Sequence, residues 1–326
     1  MGDPGVRSGE GPVARAPNVL ARCDAIDVGA HLPSRSAQLA YLDPPFGMGG
    51  TFGARLPGGD GWRSRGEVAY SDRWPSMEAY LAWLEPRIAA VRDALAPDGT
   101  MWLHLDHRAV HEAKVLCDRV YGRAAFLGEV IWATGNGARG ARRGPAVTHQ
   151  TLLLYAPGRA FVWNARDPSL REPFAPTSLA MHFTRKNDEG RWYRERSIAG
   201  RTYRYYADEG RAIGSVWTDC PAMSANTPLR EETTGYPTQK PMRLLERIVA
   251  ASSLPGGRVV DPFCGSGTSL AAAARLGRSF TGCDVGDIAI ETASRRLHAQ
   301  SASFELRVPS AEEPCPPATP ASSRSS

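Results

Sequence analysis

Two spacings of apolar residues alternate along this chain, one near two residues and one near 3.6, and they divide it into strands and helices. Asn18-Val19-Leu20-Ala21 reads as a short buried strand, and Gln38–Leu42 (QLAYL) as another that stops at Asp43-Pro44-Pro45-Phe46. The stretch 47–70 is so rich in glycine that it predicts no regular structure. Residues 76–95 predict a helix, with Met77, Tyr80, Leu81, Leu84, Ile88, Val91 and Leu95 near one face. Ser76 is placed to cap it and Pro86 to kink it. A Pro97-Asp98-Gly99 turn precedes a strand over 100–105; a helix at 107–119 and strands at 128–133 and 150–155 follow. From about 159 to 235 the periodicity fades. It returns with a helix at 241–253, a strand ending at Asp261, an alanine-rich helix, the strand SFTGCD and a helix at 287–298. Strands alternating with helices predict an α/β fold on a mostly parallel sheet.

Composition sets bounds on this picture. A length of 326 residues suits one large α/β domain, or a core carrying one insertion. Hydrophobic residues are 42% and charged residues 22%, so the bulk is globular. Residues 1–17 and most of 301–326 are rich in Gly, Pro and Ser, and read as a disordered lead and tail. The net charge of +5 is carried by arginine, since Lys114, Lys186 and Lys240 are the only lysines. That excess is compatible with a nucleic-acid partner and equally with the codon habit of a GC-rich genome. No apolar run approaches the ~20 residues of a membrane span, and the N-terminus lacks the apolar stretch of a signal peptide. A cytoplasmic location with no membrane partner is therefore expected. The six cysteines are scattered without a C-x-x-C pair, which argues against a zinc ribbon and a disulfide scaffold.

Three segments carry chemistry. In VVDPFCGSGT, Val259 through Thr268, a strand enters a glycine turn that opens a helix. Gly265 and Gly267 let the backbone approach a ligand, and the helix start presents free N–H groups. The next strand ends in Asp284, which suits ribose hydroxyls or, equally, a helix cap. In Asp43-Pro44-Pro45-Phe46 two prolines hold the backbone extended. The Asp43 carboxylate and the Pro44 carbonyl then form a rigid acceptor pair beside an aromatic ring, a match for a planar aromatic amine. Tyr236-Pro237-Thr238-Gln239-Lys240-Pro241 precedes a helix start that could receive a carboxylate, with Lys240 adding charge. His107 and His111, four apart, have a metal-ligand spacing but no third ligand at a matching one, so no metal is expected.

In combination and in this order, DPPF, DPFCGSGT and YPTQKP resemble the S-adenosylmethionine-dependent DNA amino-methyltransferases of the β group. The resemblance covers roughly residues 18–298. It implies a Rossmann-like fold with a seven-stranded, mostly parallel sheet, helices on both faces and a circularly permuted motif order. It divides the chain into a catalytic half (18–158), an inserted target-recognition region (159–235) and a cofactor-binding half (236–300). It also implies a third strand beside the second, placed at Val19–Arg22 with Asp24 near the cofactor adenine; Phe304–Val308 competes for that place.

The roles carried over follow the motifs. Asp43, Pro44, Pro45 and Phe46 are the catalytic set. Asp24, Asp43, Thr238, Lys240, Asp261, Phe263, Cys264, Gly265, Ser266, Gly267, Thr268 and Asp284 are the candidate contacts for S-adenosylmethionine. Arg139, Arg142, Arg143, Arg185, Lys186 and Arg191 are the candidate contacts to double-stranded DNA. The implied reaction is site-specific methylation of adenine N6 by base flipping and direct in-line transfer, with 47–70 as a lid and no cysteine nucleophile. Cytosine N4, RNA as substrate and a non-catalytic DNA-binding relative are the rival readings. A cognate restriction endonuclease is a further partner that the resemblance allows; it leaves monomer or dimer open.

Overall fold

The computed structural model describes residues 16–46, 49–58, 61–135, 144–223 and 231–309, with the backbone alone over 55–58 and 61–67. The expected disordered lead and tail thus fall mostly outside the described residues. In chain order the strands are β1 (Val19–Arg22), β2 (Ala37–Leu42), β3 (Thr51–Gly58), β4 (Gly61–Ser71), β5 (Leu95–Leu105), β6 (Phe126–Ala133), β7 (His149–Tyr155) and β8 (Arg171–Glu172). Then come β9 (Arg185–Lys186), β10 (Trp192–Ile198), β11 (Arg201–Tyr206), β12 (Arg211–Ala212), β13 (Val216–Trp217), β14 (Arg258–Asp261), β15 (Ser279–Asp284) and β16 (Glu305–Arg307). The helices are α1 (Met77–Ala94), α2 (Val110–Tyr121), α3 (Pro176–His182), α4 (Met242–Ser252), α5 (Thr268–Arg275) and α6 (Asp287–Ala299).

Seven strands in the order β6-β7-β5-β2-β14-β15-β1 make the body of the sheet, and the short β13 and β16 extend its two edges. Only β7 runs against its neighbours, β5 and β6. Successive strand residues point to opposite faces. Leu39, Tyr41, Trp102, Leu152 and Val259 enter one core with α4, α5 and α6. Ala40, Leu42, Leu103, Leu153 and Val260 enter the other with α1 and α2. This is the Rossmann-like arrangement with helices on both faces. Strand β1 pairs in parallel with β15, Val19 opposite Thr281, as the third strand requires. The competing segment also forms, as β16 on the far side of β1.

Helix α1 starts as the sequence predicts: the Ser76 side chain accepts from the Ala79 N–H, and the helix continues through Pro86. The glycine-rich stretch departs from expectation. It is an antiparallel hairpin, β3 with β4, closed between Gly58 and Gly61 and backed by a stacked Phe52–Tyr70 pair with ring centroids 4.9 Å apart. Cross-strand pairing outweighs glycine's weak strand preference there. The described part of 159–235 contains a three-stranded antiparallel sheet (β11-β10-β9), a two-stranded one (β12-β8) and α3. It is not wholly separate, since β13 joins the main sheet beside β6 and Trp217 is buried in the core. Among the described residues, no helix is long and apolar enough to cross a membrane.

Candidate active site

The carboxyl ends of β2, β14 and β15 lie side by side, and each delivers an acid: Asp43 just past β2, Asp261 ending β14 and Asp284 ending β15. A crevice outside the carboxyl ends of such strands is where open α/β sheets bind ligands. Here it is a cavity of about 330 Å³. Its lining takes in Asp24, Asp43 to Phe46, Thr238, Lys240, Asp261, Phe263 to Ser266, Thr268 and Asp284. Every catalytic and cofactor candidate of the sequence reading therefore meets in one place, with Gly267 the one that does not line it.

The Asp43–Phe46 corner is held from three sides. Lys240 Nζ donates to Asp43 Oδ2 and lies 5.1 Å from the centroid of the Phe46 ring. The other carboxylate oxygen, Oδ1, is buried without a partner. Burial raises the Asp43 carboxyl, and the Lys240 charge opposes that shift. The Phe46 N–H donates to Asp72 Oδ2 (3.2 Å), and the Asp72 backbone bonds Gly49 and Gly50. The base of the hairpin thus fixes the end of the motif. Behind it, the Tyr41 hydroxyl and His104 Nδ1 are 2.7 Å apart, and His104 rests against Phe46 and Trp132. Burial keeps His104 well below the usual imidazole range, so it is neutral.

The glycine side is built by its own carboxylates. Asp284 accepts from the Gly265 and Gly286 N–H groups, each at 2.9 Å, and burial pushes it up to about 6. Asp261 accepts from the Phe263 N–H and the Ser269 hydroxyl, and burial pushes it up to about 7. Gly265 has φ +48°, and a Cβ there would come within 3.0 Å of the Tyr236 ring. Gly267 serves packing: its φ is +72° and a Cβ would sit 2.8 Å from that of Ala293 on α6. Asp24 also lines the cavity, yet both its oxygens are engaged, one capping the turn at 25–31 and one bonded to Arg87. Thr238 holds φ +57°, a strained value for a branched residue, while its Oγ1 lies 3.0 Å from the Tyr70 hydroxyl.

Further residues join the site from outside the three motifs. Tyr70, Trp83, Arg87, Trp132 and Gln150 line the cavity from separate elements. Arg296, mostly buried and lowered to about 10, donates to Thr268 Oγ1 and the Ser266 carbonyl. Of the DNA candidates, Arg185, Lys186 and Arg191 do not line the cavity. Arg139, Arg142 and Arg143 lie outside the described residues. Arg185 pairs with Glu195 (2.6 Å), Arg191 with Asp208 and Glu209, and Lys186 covers the Trp192 ring. His107 and His111 are exposed, and no group of three metal-ligating side chains occurs among the described residues.

Fold and cavity together define a Rossmann-like α/β protein with a ligand crevice at the carboxyl ends of its central strands. The chain belongs to the DNA methylase family, whose pattern it matches over residues 37–295. It is 27% identical to the type II methyltransferase M.EcaI of Enterobacter cloacae, over 81% of this chain and 65% of that protein. It thus spans about two thirds of that relative's length. It is 25% identical to the DNA adenine methyltransferase YhdJ of Escherichia coli, over 85% of this chain and 82% of the relative. Among solved structures, M1.HpyAVI complexed with SAM superposes with a TM-score of 0.52 at 18% identity, covering 86% of this chain and 98% of that one. The cytosine-N4-specific PvuII DNA methyltransferase does so at 0.53 and 14%, covering 87% and 89%.

Proposed function

We propose that this protein transfers a methyl group from S-adenosylmethionine to the exocyclic N6 of adenine in double-stranded DNA. The observation that carries the reading is the shared cavity. An acceptor with no partner, Asp43 Oδ1, stands beside the Phe46 ring, in one space with the Gly265 turn and Asp284. An aromatic amine is a poor nucleophile, because its lone pair is delocalised into the ring. Accepting an N–H at Asp43 and another at the Pro44 carbonyl favours a tetrahedral nitrogen as positive charge develops. Phe46 stacks on the base, which is flipped out of the duplex at a cost of a few kcal/mol.

The residues fit the cofactor as well. The Gly265 turn, Thr268 and the start of α5 offer backbone approach and N–H groups, and Lys240 offers charge for a carboxylate. The cofactor supplies a methyl group on a positively charged sulfur. The protein's own contribution is to hold donor and acceptor in line. The aspartate form of the catalytic motif and the adenine specificity of YhdJ favour adenine over cytosine N4.

The test is transfer of labelled methyl from S-adenosylmethionine to mixed-sequence duplex DNA, with the product digested to nucleosides and identified by mass. N6-methyl-2′-deoxyadenosine is the expected product, and N4-methyl-2′-deoxycytidine would reassign the base. Asp43→Ala should lose at least ~100-fold in kcat, the scale of removing one charge-stabilising group. Full activity in that variant would sink the assignment.

A further inference from the structure

Away from the glycine turn, the cavity wall is made by Trp132, near the end of β6, and Gln150, near the start of β7. Strand register sets Trp132 opposite Gln150, and His104 of β5 opposite Leu152, two residues further along β7. Residues two apart on a strand share a face, so Gln150 and His104 are diagonal neighbours on one face, within reach of long side chains. His104 in turn joins this wall to the stacking ring: its centroid is 5.4 Å from that of Trp132 and 6.0 Å from that of Phe46. We propose that Gln150 reads the target base, its carboxamide donating an N–H to the ring nitrogen beside the amine, N1 of adenine. The inference rests on the base pocket proposed above at Asp43 and Phe46.

A carboxamide carries a donor and an acceptor, and its surroundings decide which one faces the base. His104 is fully buried and neutral, and its Nδ1 lies 2.7 Å from the Tyr41 hydroxyl. That hydroxyl has no other acceptor among the described residues, so it donates to Nδ1 and the ring proton sits on Nε2. His104 Nε2 is then a buried donor, and Gln150 Oε1 is a buried acceptor; neither has a partner of hydrogen-bonding geometry among the described residues. The two atoms complement each other. Oε1 turned to His104 leaves the amide N–H groups of Gln150 for the cavity.

With the amine hydrogens given to Asp43 and the Pro44 carbonyl, the adjoining acceptor on the ring is N1, on the Watson–Crick edge by which flipped bases are read. An N–H from Gln150 satisfies it. Guanine N1 and thymine N3 carry a hydrogen, so there the same donor would meet a donor, and both would be left buried and unpaired. Cytosine N3 is an acceptor like adenine N1; Gln150 therefore selects amino over keto bases, not adenine over cytosine. The wall beside it is held in place. Trp132 Nε1 donates to the Cys220 carbonyl (2.6 Å), and the Ala222 N–H, also at the cavity, to the Thr134 carbonyl (2.8 Å).

The experiment is a double-mutant cycle with the base as one partner. The methylation site is first mapped in plasmid DNA treated with the full-length chain. Then kcat/KM is measured for wild type and Gln150→Leu on duplexes of that site carrying adenine or 1-deazaadenine, in which a C–H replaces N1. Each single change should lower kcat/KM roughly tenfold, and the two together no further. Effects of the analogue on base pairing and on the amine itself act on both enzymes alike and cancel in the cycle. With 7-deazaadenine any loss should simply multiply with that of the variant. Losses that multiply for 1-deazaadenine, coupling to 7-deazaadenine instead, or a Gln150→Leu as active as wild type overturn the proposal. S-Adenosylmethionine affinity, measured by calorimetry, should stay within about twofold of wild type, the scale of an uncoupled site; a folded variant that loses it puts Gln150 in the cofactor's space and overturns the proposal too. Where Gln150→Leu fails to fold, Gln150→Met takes its place with the same expectation. A product on cytosine reassigns the base, and the cycle is then read with 3-deazacytosine. If wild type transfers no methyl to DNA, the functional reading falls and this inference with it; transfer with an uncoupled cycle sinks this inference alone.

Discussion

Asp43 is governed by two opposed influences, burial that favours its neutral form and Lys240 that favours its charged one. The proposed reaction needs the carboxylate, so activity should fall as pH drops through the raised pKa of this group. Lys240→Met removes the opposing charge. The acidic limb of its kcat–pH profile should then move to higher pH by about one unit or more, the scale of a close opposite charge. The measurement is kcat from pH 5 to 9 at saturating cofactor and DNA; an unmoved limb would show that Lys240 does not hold Asp43 charged. The residues of this corner were legible from sequence to unequal degrees. DPPF stood out because two prolines and an acid make a local rigid unit. Asp72 and Tyr70 did not, because their importance comes from what they touch across the fold: Phe46 N–H for one, Thr238 for the other.

Glycine shows how far an element's sequence can be read. Gly267 and Gly277 have the same φ of +72°, but only Gly267 has a neighbour where a Cβ would go. Gly277→Ala should cost only the backbone part, about 1–2 kcal/mol. Gly267→Ala should cost clearly more, and Ala293→Gly in that background should recover part of the difference. Urea unfolding of the four proteins tests this; equal losses at the two sites would rule out the packing role. The same contrast explains which elements were legible. The Ser76 cap and the strand SFTGCD rest on local spacing, and both appear where that spacing puts them. The β3–β4 hairpin rests on cross-strand pairs such as Phe52 with Tyr70, which no helical or alternating pattern announces in so glycine-rich a stretch. Strand β1 is four residues long, and its place beside β15 followed from the family's fold rather than from its own sequence.

At the scale of the whole molecule, a charge of +5 is a poor guide to DNA contact, because much of the arginine is already spent internally. Arg185, Arg191 and Arg204 all bond carboxylates within the small three-stranded sheet region. Replacing Asp208 and Glu209 by Asn and Gln should free Arg191 and tighten DNA binding. The slope of log affinity against log salt should steepen by about one. A titration series from low to moderate salt reads this, and an unchanged slope would place that face away from the duplex. The permuted order of the sheet also has a consequence in time. Asn18, at the head of β1, reaches across 262 residues to bond Phe280. At ~5–20 residues per second, a ribosome needs roughly 13–50 s to make that stretch. For that long the strand Val19–Arg22 has emerged without the neighbour it will bury against, so the sheet closes only after β15 has been made. The nascent chain must be kept from aggregating until then.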